Sequence, residues 1–224
     1  MNAASRMTDV SKPTILKLVA DLGAACGEYH DKHVRNVKAK HVQCDEVWSF
    51  CYAKAKNVPA HLKGQFGVGD VWNWIGLESQ TKLVISWLVG SRDAGSAYDF
   101  MSDIAARVDG RIQLTTDGHA AYLDAVDQNF GVDIDYAMLI KHYGESADQG
   151  HERKYSPSVC TGCHSKRITG KPDAGHVSTS HVERLNLSVR MQNRQFCAGT
   201  FVSSHVASHG SGCRNPALGY RGCG

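Results

Sequence analysis

The chain predicts an α/β protein, with helices packed on a mixed β-sheet. Three observations carry that prediction. Strand-like segments follow one another in hairpin succession over residues 41–90, helical and strand patterns alternate over 96–144, and a last helical pattern follows at 178–196. Successive hairpins make antiparallel neighbours, whereas strand–helix–strand crossovers make parallel ones, so the sheet must contain both.

The elements can be justified in order. Residues 3–10, "AASRMTDV", read as the end of a helix and a turn, and "SKPTILKLVADLGAACGEY", 11–29, as a longer helix. Ser11 is placed to cap it, and Pro13 sits in its first turn, where a missing N–H costs little. Ile15, Leu18, Val19 and Leu22 recur at helical spacing. Two helices joined by a turn have the shape of a helix-turn-helix, whose second helix enters a DNA major groove. Residues 30–40, "HDKHVRNVKAK", are polar and basic and read as a linker.

The period then changes. "HVQCDEVWSFCYAK", "VWNWIGLESQ" and "TKLVISWLVG" read as three strands, the last two joined by the turn "ESQTK". "SAYDFMSDIAARVDG" is helical, with Tyr98, Met101, Ile104, Ala105 and Val108 on one face. "RIQLTTDG" is a strand ending at Asp117-Gly118, "AAYLDAVDQNFG" a helix and "DYAMLIKHYG" a fifth strand. Residues 144–177 are polar and read as a long loop; "STSHVERLNLSVRMQNRQF" is a helix capped by Ser178 or Thr179. The order β-β-β-α-β-α-β-loop-α, preceded by a short helix-turn-helix, matches the ribonuclease H-like fold.

Composition narrows the class. In 224 residues, 42% are hydrophobic and 21% charged, the balance of a soluble globular protein. No apolar run approaches the roughly 20 residues that a membrane helix needs, and "MNAASRMTDV" has no apolar region of a secretion signal, so a cytoplasmic location is expected. The net charge is only +3, but acid concentrates between Asp93 and Asp148, and base over 32–63 and 153–194. Such segregation lets basic flanks hold phosphates around an acidic centre. Of the eight cysteines, Cys26, Cys44 and Cys51 lie in apolar contexts and read as small core residues. "CTGCH" has the spacing of half a zinc site. The candidates for its other half, His176, His181 and Cys197, follow no familiar spacing, so a structural zinc at Cys160/Cys163 is not expected.

The acids fall at telling positions. Asp45 lies in the middle of the first strand, in "QCDEVW", with Trp48 and Phe50 nearby. Asp117 ends the fourth strand, where an Asp before Gly is commonly a turn residue. Glu183 lies near the start of the last helix, where a carboxylate also complements the helix dipole. In the proposed fold the first and fourth strands are neighbours and the last helix packs across them, so the three converge. A buried carboxylate cluster is costly unless a multivalent cation offsets its charge. Hard oxygen ligands select Mg²⁺ or Mn²⁺, and two such ions promote phosphodiester chemistry.

The words themselves point the same way. "VQCDEVWSFCYAKAKNVP", "LTTDGHAAY" and "STSHVERLNLSVRMQNRQF" resemble segments of the IS-one family of DDE transposases, from bacterial insertion sequences. "ASRMTDVSKPTILKLVADLGAAC" resembles the helix-turn-helix that precedes their catalytic domain, and the resemblance spans roughly residues 3–196. It implies that Asp45, Asp117 and Glu183 are a catalytic triad binding two Mg²⁺ (or Mn²⁺) ions. It further implies an enzyme that nicks element ends and joins the freed 3′-hydroxyls to target DNA. Glu46 also matches, but strand alternation points it to the opposite face. By the same resemblance His181, Arg184, Arg190 and Arg194 contact DNA, Asn186 and Asn193 are further polar candidates, and Lys12 and Lys17 meet phosphates in the helix-turn-helix. The implied partners are DNA and further copies of the chain, with no membrane, in the bacterial cytoplasm at the nucleoid.

The resulting division is a partial helix-turn-helix at 1–29, a linker at 30–40, a catalytic domain at 41–196 and an irregular tail at 197–224. Two departures stand out. The family carries an upstream DNA-binding portion, so end recognition is incomplete or supplied by a separate polypeptide. After "NRQF" the family continues with an apolar helix, whereas this chain reads "CAGTFVSSHVASHGSGCRNPALGYRGCG", the compositional shift of a frameshifted or degraded end. An inactive DNA-binding remnant and a nuclease of the same fold are the alternatives.

Overall fold

A computed structural model describes residues 2–65, 67–144 and 159–192. Two helices, α1 (Asn2–Thr8) and α2 (Lys12–His33), lead into strand β1 (His41–Cys51). Then come β2 (Gly69–Glu78), β3 (Val84–Gly90), α3 (Ala94–Arg107), β4 (Ile112–Asp117), α4 (Ala121–Phe130), β5 (Ile134–Gly144), β6 (Val159–Thr169) and α5 (Ser180–Gln192). The strands form one six-stranded sheet in the order β3-β2-β1-β4-β5-β6. Strands β3, β2 and β1 are successive antiparallel neighbours, whereas β4 runs parallel to β1 and β5 parallel to β4. This is the mixed α/β sheet that the sequence predicts.

Alternation along β1 divides the molecule into two layers. Val42 and Cys44 point into the main core with Trp74 of β2, Leu114 of β4, Phe100 and Ile104 of α3 and Tyr122 of α4. Trp74 sits at its centre, its ring 5.4 Å from Tyr122 and 5.8 Å from Phe100, and its indole N–H donates to the Ser91 carbonyl. Gly76 permits this packing, because a Cβ there would lie 2.9 Å from Ile104 Cδ1. The buried stripe of α3 is Ala97, Phe100, Met101 and Ile104, offset from the expected one: Tyr98 stays exposed. On the other face α5 lies over β1 and β2.

Three expectations are corrected. Residues 159–169, read as loop, form β6, antiparallel to β5. Residues 160–167 are exposed, so no alternation marks this strand, which is held by ladder hydrogen bonds and carries Lys166 and Arg167 on its open edge. Second, residues 30–33 of the expected linker are the last turn of α2 and are tied to the sheet domain. The reason is Arg107, fully buried at the end of α3, which needs acceptors. It donates to Asp103 (2.7 Å), to Asp31 of α2 (2.7 Å) and to the Val34 carbonyl (3.0 Å). His30 also pairs with the Val84 carbonyl at 2.8 Å, and Val37 bridges to Val108. Third, Cys26 is exposed on α2, while Cys44 and Cys51 are buried.

Ser11 caps α2 by accepting the Thr14 N–H, with Pro13 in the first turn as the sequence predicts. No α2 residue is buried: Leu18, Val19 and Leu22 are more than half exposed. Among the described residues no helix is long and apolar enough to cross a membrane. The 197–224 tail lies outside the described residues.

Candidate active site

β1 and β4 lie at the centre of the sheet, with Gln43 opposite Thr115 and Cys44 opposite Thr116. Asp45 and Asp117 are the next residues on these two parallel strands, so the register brings their carboxylates to one level. Asp45 faces α5, and Glu46 faces α3 and α4, as alternation requires.

α5 is fixed to this face by β1 itself. The helix leaves its first N–H groups without intrahelical acceptors, and Gln43 Oε1 accepts two of them, from His181 (3.0 Å) and Val182 (3.2 Å). One turn further, Asn186 donates its side-chain amide to Asp45 Oδ2 at 2.8 Å. Glu183 lies between these anchors on the first turns of the helix. Its Oε1 accepts from the Thr179 hydroxyl and from the ammonium of Lys141 on β5. The expected packing of the last helix is therefore shifted: α5 covers β1 and β2, and Glu183 reaches toward β5 through Lys141.

Arg92, in the loop after β3, joins the acids from the other side. Its Nε donates to Glu46 Oε2 at 3.1 Å, one of its terminal nitrogens reaches Asp117 Oδ2 at 3.4 Å, and its guanidinium lies 4.8 Å from the Trp72 ring centroid. Asp117 also serves as turn-former, because its Oδ1 accepts the His119 N–H at 3.0 Å.

The electrostatics follow from this crowding. Burial first, and then the charge of Asp117, push the Asp45 carboxyl up to about 6, against the opposing hydrogen bonds from backbone and Asn186. Burial and Asp117 likewise push Glu46 up to about 7, although the Arg92 charge pulls the other way. The Glu46 side chain is 1% exposed, and its Oε1 has no hydrogen-bond partner, nor has the neighbouring Tyr122 hydroxyl. Asn186 Oδ1 is a further buried acceptor without a partner. Burial and the Arg92 charge lower the pKa of His119.

The donor set is made of hard oxygens, suited to Mg²⁺ or Mn²⁺. The mutual repulsion of the acids and the idle Asn186 Oδ1 also fit a cation. As the side chains stand, however, no three His, Cys, Asp or Glu among the described residues are arranged to hold one metal ion. Asp117 leans on Arg92 and Glu183 on Lys141 instead.

The remaining expected residues spread over two regions. His181, Arg184 and Arg190 are exposed on α5, next to the acids, and Arg194 and Asn193 lie outside the described residues. Lys12 and Lys17 are exposed on α2, where Lys17 pairs with Asp21 at 2.8 Å. Cys160 and Cys163 are free and exposed on β6. A cavity of about 560 Å³ lined by Arg111, Asp135, Arg167, Gly170 and Lys171 opens at the opposite end of β4 and β5, away from the acids.

Sequence reasoning missed Gln43, Thr179, Arg92 and Lys141. Lys141 carried a signal: a lone lysine inside the apolar run "AMLIKHY" is the same misfit as Asp45. Arg92, in a loop, carried none. The chain matches no protein-family model and no curated protein.

Proposed function

We propose that the chain is a DDE-type DNA transposase, which cuts the ends of its element and joins them to target DNA. The observation that carries this reading is the pairing of Asp45 and Asp117 at one level of the central parallel strands, with α5, which carries Glu183, anchored over β1 by Gln43 and Asn186. The strand order supports a ribonuclease H-like fold, with β6 as an added edge strand. Asp45, Asp117 and Glu183 are the residues that would hold two Mg²⁺ or Mn²⁺ ions. Ions bound there supply the charge that activates an attacking oxygen and stabilises the leaving one.

The protein's own side chains do the positioning. Asn186 fixes Asp45, Gln43 fixes the start of α5, and the exposed His181, Arg184 and Arg190 line the same helix for phosphates. α1 and α2 act as the helix-turn-helix, with Lys12 and Lys17 toward the DNA backbone. Two element ends must be paired, so the active form is a homo-oligomer, working at the bacterial nucleoid.

A strand-transfer assay with candidate element ends and Mg²⁺ tests this reading. Joined products support it, nicking without joining indicates a nuclease, and binding without either indicates a DNA-binding remnant. One observation favours the remnant as second reading: Arg92 and Lys141 already engage the acids that a metal would use.

A further inference from the structure

We infer that Arg92 and Lys141 are resident counter-ions of the acidic site, which compete with a divalent cation for the carboxylates and give them up when it binds. The inference rests on the metal-dependent reading and adds a control to it. The contested atoms are specific: Arg92 occupies Asp117 Oδ2 and Glu46 Oε2, and Lys141 occupies Glu183 Oε1. A carboxylate oxygen turned toward these groups is not free for an inner-sphere ion.

The two kinds of contact at the site differ in mobility. Asn186, 7% exposed, holds Asp45 from inside the protein, and its Oδ1 is left without a partner beside that carboxylate. Arg92 and Lys141 stand at the rim on long flexible stems, 36% and 25% exposed, so their heads can swing into water. Electrostatics drives the exchange. A divalent ion at about 2.1 Å from a carboxylate oxygen attracts it roughly three times as strongly as a single charge at Arg92's distance from Asp117, before dehydration is counted. The resident cations thus keep the acids charge-compensated while metal is absent, and they set a threshold that its concentration must cross.

Mn²⁺ binding to the full chain, followed by electron paramagnetic resonance of the free ion at pH 7.5, tests this. Arg92→Gln, Lys141→Gln and the double variant are compared with the wild type, with Arg92→Lys as charge-keeping control and Asp117→Asn as site control. The expected result is tighter Mn²⁺ binding, about tenfold for the double variant, with Arg92→Lys close to wild type. Unchanged or weaker binding in the Gln variants, with Asp117→Asn still abolishing it, overturns the competition and leaves the metal site standing. Binding that Asp117→Asn does not alter overturns the metal site and the inference with it. If the Gln variants do not fold, wild-type fluorescence decides. Mn²⁺-induced loss of the Arg92–Trp72 contact must change tryptophan emission, and the change must vanish in Trp72→Phe; a flat titration under saturating Mn²⁺ overturns the inference.

Discussion

The Asn186 side-chain amide donates to Asp45 Oδ2 at 2.8 Å, a contact between residues 141 positions apart. With the Gln43 bonds to His181 and Val182, it is where the last described helix meets the first strand of the sheet. It also settles the orientation of a carboxylate that burial would otherwise leave poorly solvated. Together with Gln43 it makes the geometry of the acidic site a property of β1.

Asp117→Asn should abolish Mg²⁺-dependent cleavage, at least about a thousandfold, because a metal-bridged carboxylate contributes several kcal/mol to the barrier. On the proposed function DNA affinity should stay within about twofold, since that reading assigns the phosphates to Lys12, Lys17 and the basic residues of α5. Single-turnover cleavage and filter binding check the two halves; undiminished cleavage would sink the site assignment.

Stability without divalent cation should fall as pH rises through the acidic range. Asp45 and Glu46 bind protons more tightly folded, at about 6 and about 7, than at their ordinary 3.8 and 4.5. The folded state therefore carries more protons in that window. The stabilisation they lend is complete below pH about 4 and lost by about 6 to 7. Asp45→Asn removes its part, so the wild type should lose on the order of 1–2 kcal/mol relative to the variant between pH 4 and 6.5. Urea melts at several pH values measure it, and added Mg²⁺ should restore stability at pH 8 far more than at pH 4.5.

Arg107→Met should destabilise the fold by roughly 3 kcal/mol or more, because it removes the cation beside the buried Asp103 carboxylate and cuts the tie from α3 to Asp31. Faster amide exchange should appear first at the C-terminal turn of α2, whose Val34 carbonyl and Asp31 carboxylate lose their bonds to α3. Uniform exchange along the chain would contradict this.

Gln43→Leu should cost about 1–3 kcal/mol by leaving two first-turn N–H groups of α5, that of buried Val182 among them, without an acceptor. Its effect on cleavage should exceed that of an equally destabilising core change such as Ile104→Val, because Glu183 is carried on the freed turn. Comparing both variants at matched unfolded fraction separates positioning from stability.

Much of this architecture was legible in the residues because apolar periodicity is a burial signal. β1, β2, β3 and β5 and helices α3 and α4 each set an apolar side against a core, so their sequence declared them. β6 declared nothing, since exposed residues over most of its length leave only backbone pairing to define it. The end of α2 was hidden for a related reason: a polar, basic stretch reads as linker unless one knows that a buried arginine from another helix needs its acceptors. At the site, the acids stood out as charges in apolar or turn settings. Arg92 and Gln43 did not, because they act across long separations that no local pattern records.

The alternation of β1 carries one more consequence. A slip of one residue against β4 would exchange Asp45 for Glu46 beneath α5 and drive Gln43 into the apolar layer in place of Val42. Strand registry is thus also the switch between two chemistries, and a misfolded copy would lose its helix anchor and its acid in the same step. Folding fidelity and the proposed catalysis are, for this strand, a single selection.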